Sequence, residues 1–227
     1  MEKLNVKIEH IVHSCFTVET KEHFFVFDYY EGDIELSQTK KNYVFVTHGH
    51  GDHYSPEIFN WVGDNIKYIL SSDIEVSRDD KKIYIMDPNE ILEFDDIDVK
   101  TFGSTDLGLS FLVLVEGISI FHAGDLNWWY WNNDTPEEKK EMEMAFKGEI
   151  AEIKGEEIDI AFFPVDPRLE ENFHLGGEFF IKEINPKHFL PMHFGDKFGA
   201  SKKFIHKMKN SPTNIVEITK KNQIIEL

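Results

Sequence analysis

Four residues that favour metal ions fall within six positions: His48, His50, Asp52 and His53, in the segment HGHGDH, separated only by Gly49 and Gly51. The apolar run YVFVT precedes them, so the segment reads as a loop leaving a strand. Alternate residues of an extended segment point the same way, which lets His48 and His50 converge on one cation. Once the chain turns at Gly51, Asp52 and His53 can face a second cation beside it, with Gly49 and Gly51 supplying backbone freedom. A polar surface loop that happens to hold histidines is the plain alternative, and four ligand types in six positions argue against it. Divalent ions held this way lower the pKa of bound water from about 15.7 to about 7, making hydroxide available at neutral pH. Imidazole with carboxylate suits zinc first, with manganese and iron as alternatives.

The loop needs a rigid support. Five segments share one form, a short apolar run ending in a polar residue: FFVFD to Asp28, YVFVTHGH to His50, ISIFHAGD to Asp125, IAFFPVD to Asp166 and KHFLPMH to His193. Strands apolar along their whole length are buried on both faces, which calls for a layered α/β or α+β fold. Ligands in such folds gather beyond the carboxyl ends of the strands, so these polar termini should share one rim. A helix should start at Thr135, where TPEE gives an N-cap, a proline at the first helical position and Glu138 to close a capping box. Met142, Ala145, Phe146, Ile150 and Ile153 would form its apolar face. Further helices are expected over 177–184, before Pro186, and over 201–209, before Pro212, with strands and hairpins in the amino-terminal third.

Composition excludes several classes. The 227 residues, 41% of them hydrophobic, suffice for a real core and read as a single domain, residues 1–227. One cysteine, Cys15, rules out an internal disulfide and a Cys-rich zinc site. A net charge of −18 with no basic stripe argues against nucleic acid as a partner. No leader-like segment opens the chain and no stretch approaches the roughly 20 apolar residues of a membrane span, so a cytoplasmic protein without integral membrane association is expected. Self-association is left open.

HGHGDH resembles the H-x-H-x-D-H signature of the metallo-β-lactamase fold hydrolases. Asp28, the HAGD ending at Asp125 and the PMHF containing His193 follow in the family's order, from near residue 13 to near residue 195. The early HSCF, residues 13–16, is similar to an element of the branch that includes the ascorbate-6-phosphate lactonase-like proteins and the N-acyl phosphatidylethanolamine phospholipase D enzymes. The resemblance implies an α+β fold, a four-layer αββα sandwich with a binuclear metal centre at one edge. It gives His48 and His50 to the first ion, Asp52, His53 and His193 to the second, and Asp125 to both.

One departure stands out. The family supplies a further histidine to the first ion from a loop before the bridging aspartate, yet no histidine lies between Tyr54 and Phe121. The corresponding stretch, FGSTDLGLSF, offers Ser104, Thr105 and Asp106. Unequal occupancy follows, with the site of Asp52, His53, Asp125 and His193 the tighter. His122 is open to three readings: a recruited ligand, a side chain orienting a ligand from behind, or a substrate contact.

The implied activity is hydrolysis of an ester, lactone or phosphodiester bond in a small-molecule substrate by hydroxide formed at the centre. Asp52 or Asp125 would orient the nucleophile and His174 would protonate the leaving group. His13, His122, Trp128 and Trp129 are the candidate substrate contacts, the tryptophans as a wall suited to an apolar or ring-like portion. Two other readings on the same fold are a non-catalytic metal-binding module and a di-iron redox protein.

Overall fold

The computed structural model describes residues 4–63, 65–76 and 80–227. Its first sheet holds β1 (Lys7–Val12), β2 (Cys15–Glu19), β3 (His23–Phe27), β4 (Lys41–Val46), β5 (Ile66–Ser71), β6 (Ile83–Met86) and β14 (Gln223–Glu226). The second holds β7 (Ile91–Glu93), β8 (Ile97–Phe102), β9 (Ser110–Val115), β10 (Ile118–His122), β11 (Ile160–Pro164), β12 (His188–Met192) and β13 (Asn214–Ile215). The orders are β14-β1-β2-β3-β4-β5-β6 and β13-β12-β11-β10-β9-β8-β7. Both sheets are mixed: β3 to β6 run parallel in one and β10 to β13 in the other, with antiparallel pairs completing each.

Side-chain alternation explains the uninterrupted apolar runs. Phe25, Phe27, Tyr43 and Phe45 face the core between the sheets, whereas Val26, Val44 and Val46 face outward into a second cluster. Phe16 and Phe27 of the first sheet meet Phe162 of the second at 4.4 and 6.1 Å between ring centroids. On the opposite face of β11, Phe163 stacks at 4.6 Å on Phe180 of helix α2 (Leu175–Ile184).

Helix α1 (Pro136–Ile153) has the expected capping box between Thr135 and Glu138, and it buries Phe146, Ile150 and Ile153. Ala145 is exposed, so the buried stripe is narrower than the sequence pattern suggests. Helices α2 and α3 (Gly199–Lys207) each begin two residues before the expected position. His174 and Phe198 precede them without any side-chain cap, so no local signal marks those starts. The helices α1, α2 and α3 adjoin the second sheet through Phe146, Phe180 and Phe204. The outer layer on the first sheet is thinner: a 3-10 helix at Pro56–Asn60 contributes Ile58 to a cluster with Tyr29, Trp61 and the outward valines. Among the described residues no helix is long and apolar enough to cross a membrane.

At the end of the sandwich where β3 starts, a charged staple joins the two sheets. His23 on β3 is buried, with Nε2 2.7 Å from Asp96 and Nδ1 2.7 Å from Glu116, both on turns of the second sheet. Burial opposes ionisation of these carboxyls, but Lys41, His23 and Tyr43 around Asp96, and Thr20 and His23 around Glu116, bring each down to about 2. Folded values below the unfolded 3.8 and 4.5 mean that this contribution to stability is complete above about pH 5 and is lost as pH falls through about 2. Replacing His23→Ala is expected to cost about 3 kcal/mol of unfolding free energy. Urea denaturation at pH 7 and pH 3 checks both statements; an unchanged midpoint at pH 7 would contradict the staple.

Candidate metal centre

The strand tips meet as the polar termini require. His48, His50, Asp52 and His53 follow β4, Asp28 follows β3, Asp125 follows β10, Asp166 follows β11, His193 follows β12, and His13 occupies the turn between β1 and β2. Their aim comes from backbone bends. His13, Asp28 and His193 have φ values of 52°, 49° and 67°, left-handed conformations that cost energy in residues other than glycine and turn each side chain out of its strand line. Gly49 and Gly51, expected to supply such freedom, are not left-handed. The loop instead closes through bonds from the backbone N–H groups of His53 and Tyr54 to the His50 carbonyl, at 3.0 and 2.9 Å.

Three buried imidazoles are held from behind. His53 donates from Nδ1 to Asp28 at 2.7 Å, and His193 lies with Nδ1 2.9 Å from Asp166. Thr47 donates its hydroxyl to Asp28 at 2.7 Å, so the same oxygen accepts from His48 Nδ1 at 3.0 Å. A proton fixed on each Nδ1 leaves Nε2 as the nitrogen that a cation can take. Those three Nε2 atoms are buried and have no hydrogen-bond partner, and neither does Asp125 Oδ1, which lies 3.1 Å from Nε2 of His53 and 3.1 Å from Nε2 of His193. His48 Nε2 is 3.5 Å from the other Asp125 oxygen. Convergent, unpartnered lone pairs on buried groups are what a cation site supplies, and the donor set fits divalent metals.

The groups fall into overlapping sets whose candidate ligand atoms lie within 4.8 Å of one another: His13, Asp52, His53 and His193; His48, His53 and Asp125; His50, Asp106 and Asp125. The six residues assigned from the sequence are thus brought together. Asp106, left outside that ligand set, joins them on the side of His50. The sequence carried a signal for it, because Asp106 sits in the stretch where the resemblance leads one to look for the absent histidine.

Charge on the cluster is uneven. Burial acts against a charged His53, but Asp125 and Asp28 on its two nitrogens outweigh that and lift it to about 10; His193 is raised against burial by Asp125 and Asp166. Asp125 is held well below the usual carboxylate range despite burial, by His193 and His53. His13 goes the other way: burial, with His193 and His53 nearby, pushes it down to about 3. Its Nδ1 accepts a bond from the Gly195 backbone N–H at 3.2 Å, so the neutral ring carries its proton on Nε2, 3.5 Å from Asp52. In that tautomer His13 is a hydrogen-bond donor to the site.

Other expected contacts divide. His122 is fully buried, with Nε2 2.9 Å from the Ser14 carbonyl, Nδ1 accepting from Gly124 and the ring stacked on Phe27 at 5.2 Å. Its Nδ1 lies 3.7 Å from Asp28 without bonding to it, and the ring has no surface for substrate. His174 is not brought to the centre. It precedes α2 with Nδ1 2.8 Å from Glu178, and Lys207 is its other charged neighbour. Trp128 packs on Phe146 and Phe179 beneath Lys147, filling the helix layer. Trp129 does line the site: its Nε1 donates to the Asp125 carbonyl at 3.0 Å and its ring lies 5.4 Å from His193.

A cavity of about 370 Å³ opens over the cluster, between Thr105, Asp106, Trp129, Trp131, Met142 and Arg168. Trp129 and Trp131 are parallel within 6°, with centroids 6.0 Å apart, and the Arg168 guanidinium lies 6.0 and 5.9 Å from their rings. Alternation along WWYW puts positions 129 and 131 on one side, the signal by which Trp131 could have been found. Arg168 donates from Nε to Asp166 at 2.7 Å and its side chain is half exposed. A larger groove of about 730 Å³ lies outside the first sheet between Lys7, Glu19, Asp33 and Trp61, and it contains none of the clustered donors.

Two mixed sheets face to face, with histidines and aspartates gathered on one rim, define the metallo-β-lactamase fold class. The chain belongs to the beta-lactamase superfamily domain family, whose profile matches residues 7–193. It is similar to the metal-dependent hydrolase YtkL of Bacillus subtilis, 26% identical over 215 residues that cover 83% of this chain and 86% of that one. Among solved structures it shares its fold with Igni18, a metallo hydrolase of Ignicoccus hospitalis (TM-score 0.70, 17% identity, 98% of each chain). The fold also matches CmlA, a diiron β-hydroxylase of Streptomyces venezuelae (TM-score 0.65, 11% identity, 100% of this chain and 55% of that one).

Two outcomes are expected. Asp28→Asn removes the charge behind His53 and Thr47 and should weaken divalent metal binding by about 10–100-fold, read by competition with a chromophoric chelator. Because His53 is lifted to about 10 and His193 is raised, an incoming cation displaces protons, so affinity should rise with pH by about tenfold per unit for each proton released. Calorimetry in buffers of different ionisation enthalpy counts those protons; a pH-independent affinity between about pH 6 and 9 would contradict the assignment.

Proposed function

We propose that this chain is a metal-dependent hydrolase that cleaves an ester, lactone or phosphodiester bond in a small molecule, the bond classes of the branch that its HSCF element resembles. The reading is carried by the three buried imidazoles whose Nδ1 atoms are tied back while their Nε2 atoms converge on Asp125. Similarity to the metal-dependent hydrolase YtkL supports it. In this reading His48, His50 and Asp125 hold one divalent ion, and Asp52, His53, Asp125 and His193 hold the other. Zinc, manganese and iron all suit such donors. When bound, the ions supply Lewis acidity and a low pKa for water, so no serine or cysteine nucleophile is needed.

The remaining steps belong to side chains. Asp52, exposed at the rim, accepts a proton or orients water on the face of the centre open to the cavity. His13 presents its Nε2–H to the same face. As a neutral imidazole it donates a hydrogen bond to negative charge developing on the substrate, a role distinct from the protonation of the leaving group that the sequence had suggested for His174. Arg168, anchored by Asp166, binds an anionic group away from the scissile bond, while Trp129 and Trp131 pack against a flat or apolar portion. Asp166 also holds His193, so the grip on substrate and the geometry of a ligand share one carboxylate. A cytoplasmic location and a small-molecule substrate suit this arrangement.

Purified protein loaded with zinc or manganese should turn over at least one of a generic lactone, phosphodiester and thioester. His193→Ala should reduce kcat/KM by about 10³-fold, and Arg168→Ala should raise KM for anionic substrates by about tenfold with little change for neutral ones. No turnover of any of the three at full metal loading would favour a non-catalytic metal-binding protein.

A further inference from the structure

We propose that Asp106 is a direct ligand of the first ion, replacing with a carboxylate the histidine expected there, and that the two metal sites are thereby matched rather than unequal. The inference rests on the two-ion reading above and concerns what completes one half of it. With Asp106 included, the first ion is held by His48, His50, Asp106 and Asp125. The second has Asp52, His53, Asp125 and His193. Each site then offers two imidazoles and two carboxylates, with Asp125 common to both.

The placement supports this in three ways. A carboxylate oxygen of Asp106 and ligand atoms of His50 and Asp125 lie within 4.8 Å of one another. The adjoining His48 Nε2 is buried without a hydrogen-bond partner and lies 3.5 Å from the Asp125 oxygen that does not face His53 and His193, so the first-ion side of the cluster already calls for a cation. The loop that carries Asp106 is also fixed. Thr105 donates its hydroxyl to the Asn127 carbonyl at 2.6 Å and accepts from the Asn127 N–H at 3.0 Å, which ties the loop to the segment just after Asp125. Two residues beyond Asp106, Gly108 (φ 74°) packs so tightly that a Cβ there would fall 2.0 Å from the Thr47 carbonyl, and Leu109 N–H donates to that carbonyl at 3.0 Å. Asp106 is therefore held between the tips of β4 and β10, which carry the other three ligands.

The exchange of donor has a chemical consequence. Imidazole favours zinc, whereas carboxylate oxygen suits harder cations, so placing Asp106 where a third imidazole would stand narrows the preference for zinc over manganese at the first site. A second anionic ligand also offsets the repulsion between two dications that share Asp125.

Manganese provides a direct readout. The wild-type chain should bind two Mn²⁺ with similar affinity, and the loaded protein should show the broadened electron paramagnetic resonance spectrum of a coupled pair. Asp106→Ala should bind one, giving the six-line signal of an isolated ion held by Asp52, His53, Asp125 and His193; retention of that ion shows that the variant is folded. Asp106→His should restore the second equivalent and shift the first site toward Zn²⁺ over Mn²⁺ by about tenfold in competition. Two ions of unchanged affinity with a coupled spectrum in Asp106→Ala would overturn the proposal and leave the hydrolase reading standing. A wild-type chain that binds only one ion would do the same, and one that binds none would overturn both.

Discussion

The buried carboxylate of Asp28 is the constraint on which the site depends. It has no exposure to solvent, and it accepts from the Thr47 backbone N–H at 2.8 Å, the Thr47 hydroxyl and His53 Nδ1. Isolating such a charge from water costs several kcal/mol, so it persists only where donors surround it. Here the donors belong to the end of β4 and the loop beyond, and Asp28 itself lies just past β3. Through Thr47 the restraint reaches His48, while the neutral ring of His122 on the second sheet packs nearby with its own nitrogens bonded to Ser14 and Gly124. One unsolvated carboxylate thus sets the tautomer and direction of two imidazoles and ties the tip of β3 to the end of β4 at the rim.

Local signals were readable in the sequence, and contacts made across the fold were not. HGHGDH, the apolar runs ending at Asp28, Asp125, Asp166 and His193, and the TPEE helix start are each written in a few consecutive residues, and the sheets and helix α1 follow them. Helices α2 and α3 begin earlier than expected with no side-chain cap to mark their starts, and their anchors, Phe180 and Phe204, lie beyond the first turn against Phe163 of β11 and Phe189 of β12. Asp106 reaches the cluster only because Gly108 lets its loop press against Thr47, a proximity between residues some sixty positions apart in the chain. His122 and Trp128 looked like substrate contacts from their neighbours in sequence, but the alternation of a strand and the packing of α1 turned both inward. His174 was placed by resemblance of its setting; at the start of α2 it lies beside Glu178.

Function and stability occupy opposite ends of the sandwich. At one end, buried lone pairs without partners and three left-handed non-glycine residues concentrate unfavourable energy. At the other, His23 is fully satisfied between Asp96 and Glu116 across the two sheets. Between them lies a close-packed core rich in phenylalanine, which joins the strands that carry both ends.

The pairing of β14 with β1 has a consequence for how the protein is made. Ile225 lies opposite Ile8, and Val6 and Leu227 exchange backbone bonds, so the strand that leads into His13 gains its outer neighbour from residues more than two hundred positions downstream. Such distant closure is slow, because the entropy lost in bringing the segments together must be met before any contact rewards it. During synthesis on a ribosome the β1–β2 hairpin emerges well before β14 and waits with one edge bare, and β1 gains that neighbour only after β14 has been translated.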